Sequence, residues 1–182
     1  MKYINKFIRL KCAIDLLKWK MFPNAKEICE TYAIRNAVYK FFPELNYGQE
    51  LDCYVIGDGV VPRTGAFFAC TTACNVWSID PNLRTEGVHP KVQRLTCIKD
   101  KLENTHMKGD TIIVVAPHAH ADINYICEKW DFNVAYIVSM PCCKKDYQVL
   151  SNRIGFHFKD TNIPSPENNI FGWKIIKTQG EK

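Results

Sequence analysis

A series of short apolar runs after residue 45 constrains the fold more than any other feature of the sequence. The runs are largely apolar rather than alternating, which is typical of strands in a parallel sheet that is covered on both faces. The predicted strands are 51–56, 75–79, 93–98, 111–116 and 134–140. Segments 64–72 and 122–130 lie between strands and have the residue pattern of helices. The repeated strand–helix–strand order predicts an α/β fold with a doubly wound, mostly parallel sheet.

The N-terminal part of the chain has a different pattern. Apolar residues recur at helical spacing between 26 and 42, and Pro23 and Asn24 form a helix start signal before them. We expect two helices in an N-terminal extension, residues 1–45, that packs on a core domain formed by residues 46–182.

Near the C-terminus the pattern changes again. Segments 154–159 and 173–177 are strand-like, and a loop rich in proline and asparagine separates them. We expect an antiparallel hairpin at one edge of the sheet.

The composition limits the class of protein. A chain of 182 residues with 47% hydrophobic and 24% charged residues suits a soluble globular protein. No apolar run approaches the roughly 18 residues of a membrane span, and the N-terminus lacks the pattern of a secretory signal. We therefore expect an intracellular, cytoplasmic protein without a membrane partner. The net charge of +5 permits an anionic partner such as RNA, although an excess of this size is usually a solubility feature.

A glycine-rich turn, GDGVVPRTG, follows the first predicted strand, and acidic residues end the next two strands. Gly57, Asp58 and Gly59 occupy the turn, Asp80 ends the second strand, and Asp100 ends the third. In open α/β sheets, ligands bind beyond the carboxyl ends of the strands, and an acid about 20 residues after the turn accepts hydrogen bonds from ribose hydroxyls. These five residues therefore predict a nucleoside site at one edge of the sheet.

The acid in the turn distinguishes between nucleoside ligands. A dinucleotide site places helix N–H groups against a pyrophosphate, which Asp58 would repel. S-adenosylmethionine has no phosphate and carries an amino group and a sulfonium, so that acids beside the turn favour it. Over residues 50–178 the chain resembles the class I S-adenosylmethionine-dependent methyltransferases.

The resemblance assigns roles to individual positions. It implies that the turn residues 57–59 contact the methionine moiety, that Asp80 binds the ribose and that Asp100 binds the adenine amino group. Arg63 replaces a small residue that is common in this loop, and it could pair with the methionine carboxylate. We add Ala116, at the end of the fourth strand, to the cofactor-binding set. The alternative is an ordinary turn whose acids are solvated.

Histidines and cysteines follow the fourth and fifth predicted strands. His118, His120 and Asp122 come after the fourth strand, and Cys142 and Cys143 come after the fifth. Adjacent parallel strands bring these side chains to one cleft. The Pro-Cys-Cys segment resembles a methyltransferase branch that includes the tRNA ribose 2′-O-methyltransferases of the Trm13 type. In that branch a histidine-containing segment follows strand four.

These side chains suggest two kinds of chemistry. Methyl transfer to a hydroxyl requires in-line placement of the nucleophile and can require a base. We expect His118 or His120 to be that base, oriented by Asp122, with a structural histidine as the alternative. The histidines and one cysteine could instead bind zinc, but no CxxC spacing occurs, and we predict no metal.

The combined pattern predicts an S-adenosylmethionine-dependent methyltransferase that acts on RNA. A ribose hydroxyl is favoured over a base amine, because the Asn-Pro-Pro-Tyr loop of many amino-methyltransferases is absent from the sequence. The alternative is a non-catalytic methyltransferase-like binding or scaffold protein. The short chain favours a small substrate, a protein partner or a homo-oligomer. Four aromatic residues among N-terminal lysines could bind RNA, although core packing is the commoner role. These are Trp19, Tyr39, Phe41 and Phe42.

Overall fold

The computed structural model describes residues 2–84, 92–141, 150 and 155–177. Within these residues the chain forms five α-helices and a seven-stranded sheet. The helices are α1 (Lys2–Phe7), α2 (Ala13–Lys18), α3 (Ala25–Phe41), α4 (Arg63–Thr71) and α5 (Asn124–Lys129). The strands are β1 (Asp52–Ile56), β2 (Asn75–Ile79), β3 (Leu95–Ile98), β4 (Lys108–Pro117), β5 (Asp131–Met140), β6 (Phe156–Lys159) and β7 (Asn169–Ile176). None of the described helices is long and apolar enough to cross a bilayer.

The strand order is β3-β2-β1-β4-β5-β7-β6, and the first five strands of this order are parallel. β7 is antiparallel to both β5 and β6, which confirms the predicted C-terminal hairpin at the sheet edge. The sheet is therefore the predicted doubly wound, mostly parallel α/β type. Because the chain leaves β1 on one side for β2 and returns on the other side as β4, the order reverses there. Ligand sites of open α/β sheets lie at such a reversal.

The boundary of β3 differs from its prediction for a local reason. Arg94 has a left-handed φ of 61°, so that the extended strand begins at Leu95 and not at residue 93. The Arg94 guanidinium donates to the carbonyl oxygens of Ala69 and Thr72, each at 2.9 Å. These two contacts tie the start of β3 to the C-terminal end of α4.

The prediction of two N-terminal helices is wrong, because residues 2–18 form two short helices before α3 begins. Phe7 of α1 and Leu16 of α2 are both fully buried in the same core, and the chain turns between them. The predicted helix start is confirmed, since the Asn24 side chain accepts the backbone N–H of Glu27 at 3.0 Å. This is the usual N-cap arrangement.

Apolar residues of the sheet pack on both faces, as expected for strands that are largely apolar. Along β4, Ile113 and Val115 belong to the core under the first four helices, whereas Ile112 and Val114 belong to the core on the α5 side. The N-terminal aromatic residues pack in the first core: Phe42 is buried, and Trp19, Tyr39 and Phe41 are partly buried. The N-terminal helices therefore share one hydrophobic core with the sheet.

Candidate functional site

The turn after β1 depends on two glycines with left-handed backbone. Gly57 has a φ of 70°, and a Cβ at this position would lie 2.6 Å from the Cβ of Ala119. Gly59 has a φ of 78°, and a Cβ there would meet no heavy atom within 4 Å. Gly57 thus allows the turns after β1 and β4 to approach each other, whereas Gly59 leaves the backbone open to the cleft.

Asp58, between the two glycines, caps α4 with its carboxylate. Its Oδ1 accepts the N–H of Thr64 at 2.9 Å, and its Oδ2 accepts the N–H of Gly65 and the hydroxyl of Ser78, both at 2.8 Å. Only 3% of Asp58 is exposed, and this burial raises the pKa of its carboxyl group, against the opposite effect of the three hydrogen bonds. The N-terminal N–H groups that would hold a phosphate in a dinucleotide site are therefore satisfied by the protein itself.

Asp80, which follows β2, holds the glycine turn from the other side. Its Oδ2 accepts the N–H of Gly59 at 3.0 Å, and its Oδ1 accepts the N–H of Asn82 at 2.7 Å. Each carboxylate oxygen has a further lone pair that can accept a ligand hydroxyl. Asp80 is nearly buried and lines the larger part of the cleft.

Asp100, which follows β3, is held by the 3₁₀ turn Leu102–Asn104. Its Oδ1 accepts the side-chain amide of Asn104 and the N–H of Lys101, each at 2.7 Å. The hydrogen bond from Asn104 is the main reason why the pKa of the Asp100 carboxyl lies below its usual value. Asp100 lines the same part of the cleft as Asp80.

The cleft at the carboxyl edge of the sheet has two lobes that share Gly57, Gly59 and His118. The nucleoside lobe, of about 790 Å³, lies between the ends of β1, β2 and β4 and the 3₁₀ turn. The helix lobe, of about 380 Å³, lies between the glycine turn, α3 and the loop that joins β6 to β7. Besides the shared residues, the helix lobe is lined by Lys26, Glu27, Glu30, Thr31, Asp58, Arg63, Thr64, Pro117, Ser165 and Glu167.

His118 lies where the two lobes meet. Its φ of 54° is unusual for a residue other than glycine, and its N–H donates to the carbonyl oxygen of Met140 at 2.9 Å. Its Nε2 lies 3.0 Å from Oε1 of Glu30, a residue of α3 whose side chain is 3% exposed. Lys26 Nζ lies 3.5 Å from the same oxygen. A helix that precedes the sheet thus brings a carboxylate to the histidine that follows β4.

The other two predicted catalytic residues lie in different surroundings. His120 is exposed and lines the nucleoside lobe, so that the structure brings it to the same cleft as His118. Asp122 accepts the backbone N–H and the side-chain amide of Asn124, at 2.9 and 2.8 Å, at the start of α5. The structure thus shows Glu30 beside His118 and shows Asp122 engaged with Asn124.

Two further predicted cofactor residues contribute unequally to the cleft. Arg63 lines the helix lobe and pairs with Glu27 of α3, with 2.8 Å between Nη1 and Oε2. Ala116 is completely buried in β4 and belongs to the core on the α5 side.

The predicted cysteines, Cys142 and Cys143, lie outside the described residues. Among the residues that are described, no group of three or more His, Cys, Asp or Glu side chains could hold a metal ion.

Sequence reasoning missed the acidic residues of the helix lobe. Glu27 and Glu30 belong to α3, and Glu167 belongs to the loop between β6 and β7. A signal for Glu30 exists in the sequence, because it lies among apolar residues of the predicted helix, and the structure buries every residue from 28 to 35. A carboxylate in such a stretch requires a partner, since burial of an isolated charge is costly.

No protein-family model matches the chain, and no curated protein is similar to it in sequence. Among solved structures, a variant of MtNAS in complex with S-adenosylmethionine superposes with a TM-score of 0.53 at 11% identity. MtNAS is a nicotianamine synthase, and the match covers 97% of this chain and 71% of that one. A precorrin-6y C5,15-methyltransferase from Geobacter metallireducens GS-15 gives a TM-score of 0.44 at 9% identity, covering 81% of this chain and 89% of that one.

The topology and the MtNAS match show a class I methyltransferase-like α/β fold. At 11% identity the match establishes the fold and not the activity.

Proposed function

We propose that the protein is an S-adenosylmethionine-dependent methyltransferase. The observation that carries this proposal is the position of Asp58, whose carboxylate binds the N-terminal N–H groups of α4. Gly59 and Asp80, which are hydrogen-bonded to each other, line the nucleoside lobe beside it. A nucleotide phosphate has no free helix donors at this turn, whereas a nucleoside without phosphate can use the lobe beside it. The match to a methyltransferase-type fold that was crystallised with S-adenosylmethionine supports the same cofactor.

The residues of the cleft fit the parts of this cofactor. Asp80 has lone pairs for ribose hydroxyls, and Asp100 can accept from the adenine amino group across the same lobe. Gly59 offers space for close approach to the backbone, and Arg63, which lines the helix lobe beside the turn, is the cation proposed for the methionine carboxylate. The cofactor supplies an electrophilic methyl group on a positively charged sulfur.

The acceptor would reach the methyl group where the two lobes meet. His118 lies at this junction, and its contact with Glu30 suits a group that accepts a proton from the attacking nucleophile. The sequence predicts, more specifically, that the substrate is RNA and that the nucleophile is a ribose hydroxyl. The net charge of +5 supports it, and the charges of the helix lobe, described below, oppose it. A protein partner or a homo-oligomer stays a prediction from the sequence, as does a cytoplasmic location.

The experiment that tests the proposal compares His118→Ala with His106→Ala. His106 is an exposed histidine that pairs with Asp131, and it does not line either lobe, so its variant controls for the loss of an imidazole. We measure S-adenosylmethionine binding by calorimetry, and transfer of a radiolabelled methyl group to total RNA and to a small-molecule extract. His118→Ala should keep the affinity and lose about 10²–10⁴-fold in transfer rate, as for loss of an acid–base group.

The other outcomes separate the alternatives. Equal loss of binding and transfer in His118→Ala would make the residue structural. Binding of the cofactor without transfer to either acceptor pool would favour the non-catalytic scaffold.

A further inference from the structure

We infer that the methyl acceptor is a small molecule that presents an amino group, and that Glu30 and His118 bind this group in the helix lobe. This inference rests on the proposed function. It replaces RNA by a cationic acceptor, and three properties of the helix lobe carry it.

The first property is the charge of the helix lobe. Among the described residues, four carboxylates line it, from Glu27, Glu30, Asp58 and Glu167, against two cations, Lys26 and Arg63. Both cations already face carboxylates: Lys26 lies 3.5 Å from Glu30, and Arg63 lies 2.8 Å from Glu27.

The nucleoside lobe also has more acidic than basic residues among those described: Asp80, Asp100 and Glu103 are acidic, and Lys101 is basic. In the part of the chain that the structure describes, more acidic than basic residues line the cleft, although the net charge of the protein is +5. Such a cleft attracts cations and repels the phosphates of RNA, whose binding depends on available lysines and arginines.

The second property is the burial of the Glu30 carboxylate and its capacity to accept further hydrogen bonds. Its side chain is 3% exposed and lines the helix lobe, and among the described residues no hydrogen bond of normal geometry reaches its Oε1. This oxygen lies 3.0 Å from Nε2 of His118 and 3.5 Å from Nζ of Lys26. A buried carboxylate with remaining acceptor capacity suits an N–H donor of a ligand, because charge-assisted hydrogen bonds are strongest in such surroundings.

The third property is the size of the helix lobe. Its walls come from α3, the glycine turn, the end of β4 and the loop between β6 and β7, which contributes Ser165 and Glu167. The volume of about 380 Å³ lies in the range of small-molecule sites, roughly 300–1,000 Å³. A small acceptor fits a cleft of this volume.

The chemical step balances with an amine as the acceptor. An ammonium group first gives one proton to the Glu30–His118 pair, which leaves a neutral amine with a lone pair. The amine nitrogen attacks the methyl carbon, an N–C bond forms, and the bonding electrons of the breaking S–C bond stay on sulfur. The products are a methylated ammonium and a neutral thioether, and the proton on the pair passes to water.

Calorimetry on the protein saturated with S-adenosylhomocysteine tests this inference. The probes are putrescine and cadaverine, each compared with the uncharged diol of the same chain length. We expect each diamine to bind at least about tenfold more tightly than its diol, as for a cation beside a buried carboxylate. Glu30→Gln should remove this preference and keep the affinity for S-adenosylhomocysteine. The matched control is Glu128→Gln, an exposed residue of α5 outside both lobes.

Two results would overturn the acceptor class: no preference for the diamines over the diols, or transfer of the methyl group to RNA. The unaltered protein gives both readouts, so they decide the question even if the Glu30 variant does not fold. Failure of S-adenosylhomocysteine to bind would overturn the proposed function itself, and the two failures are thus distinguishable.

Discussion

The carboxylate of Asp80 accepts the backbone N–H of Gly59 across 3.0 Å, so the acid that follows β2 fixes the turn that follows β1. Gly59 is the glycine whose Cβ position is open, and Asp80 lines the nucleoside lobe beside it. One side chain therefore both shapes the backbone of the cleft and presents acceptor atoms to it.

Substitution of Asp80 should affect ligand binding more than folding. Asp80→Ala removes the acceptors proposed for the ribose and should weaken S-adenosylmethionine binding by about 1–3 kcal/mol. The two lost backbone contacts, to Gly59 and Asn82, should lower the free energy of unfolding by about 1–2 kcal/mol. Calorimetry and urea denaturation measure the two quantities. An unchanged affinity would show that the ribose lies elsewhere.

Asp58 should contribute to stability with a characteristic dependence on pH. Burial raises the pKa of its carboxyl group above the usual 3.8, so the folded protein holds this proton more tightly than the unfolded chain. The stability contribution of the group is therefore fully present below 3.8 and is lost as the pH rises through the folded-state pKa.

The variant Asp58→Asn isolates this dependence. An amide has one acceptor oxygen and cannot accept all three hydrogen bonds from Thr64, Gly65 and Ser78, so the variant should unfold about 2–4 kcal/mol more easily. Denaturation of both proteins should show a larger advantage of the unaltered protein near about pH 4 than near about pH 7. An advantage that grows with pH would contradict the direction of the shift.

The two glycines of the turn should respond differently to the same substitution. Gly57→Ala adds left-handed strain and a clash with Ala119, and should destabilise the fold by more than about 2 kcal/mol. Gly59→Ala adds only the strain, about 1 kcal/mol, but places a methyl group in the open cleft. Denaturation should therefore detect Gly57→Ala and ligand titration should detect Gly59→Ala. Equal destabilisation by both changes would mean that the approach of Ala119 is not tight.

Removal of residues 1–45 should prevent cooperative folding. Phe7, Leu16 and Phe42 are buried in the same core as Val55 of β1 and Phe67 of α4, so truncation exposes an apolar face of the sheet. Circular dichroism during thermal unfolding should show no sharp transition for the fragment 46–182. A cooperative transition would make the N-terminal helices a separable extension.

The sequence predicted the parallel strands well because each is a largely apolar run, most clearly in β4 and β5. The hairpin and the start of α3 also depend on local signals, such as the Asn24 cap. The additional short helix among residues 2–18 has no such signal, since each helix spans less than two turns and is stabilised by packing of residues such as Phe7 and Leu16.

The sequence could place a residue at the candidate site only where that residue comes directly after a predicted strand. Asp80, Asp100 and His118 lie at the cleft for that reason. The direction of the Asp58 carboxylate depends on Ser78, 20 residues away, and the contact between Glu30 and His118 joins an N-terminal helix to β4. Contacts of this kind come from tertiary packing, which no local pattern contains.

The most direct test of the cofactor class compares two nucleoside ligands by calorimetry on the unaltered protein. S-adenosylmethionine has no phosphate, and NAD carries a pyrophosphate that needs the helix N–H groups already bound to Asp58. We expect saturable binding of S-adenosylmethionine and none of NAD. Binding of NAD, or the absence of any heat with S-adenosylmethionine under conditions where the protein is folded, would contradict the assignment of the cleft.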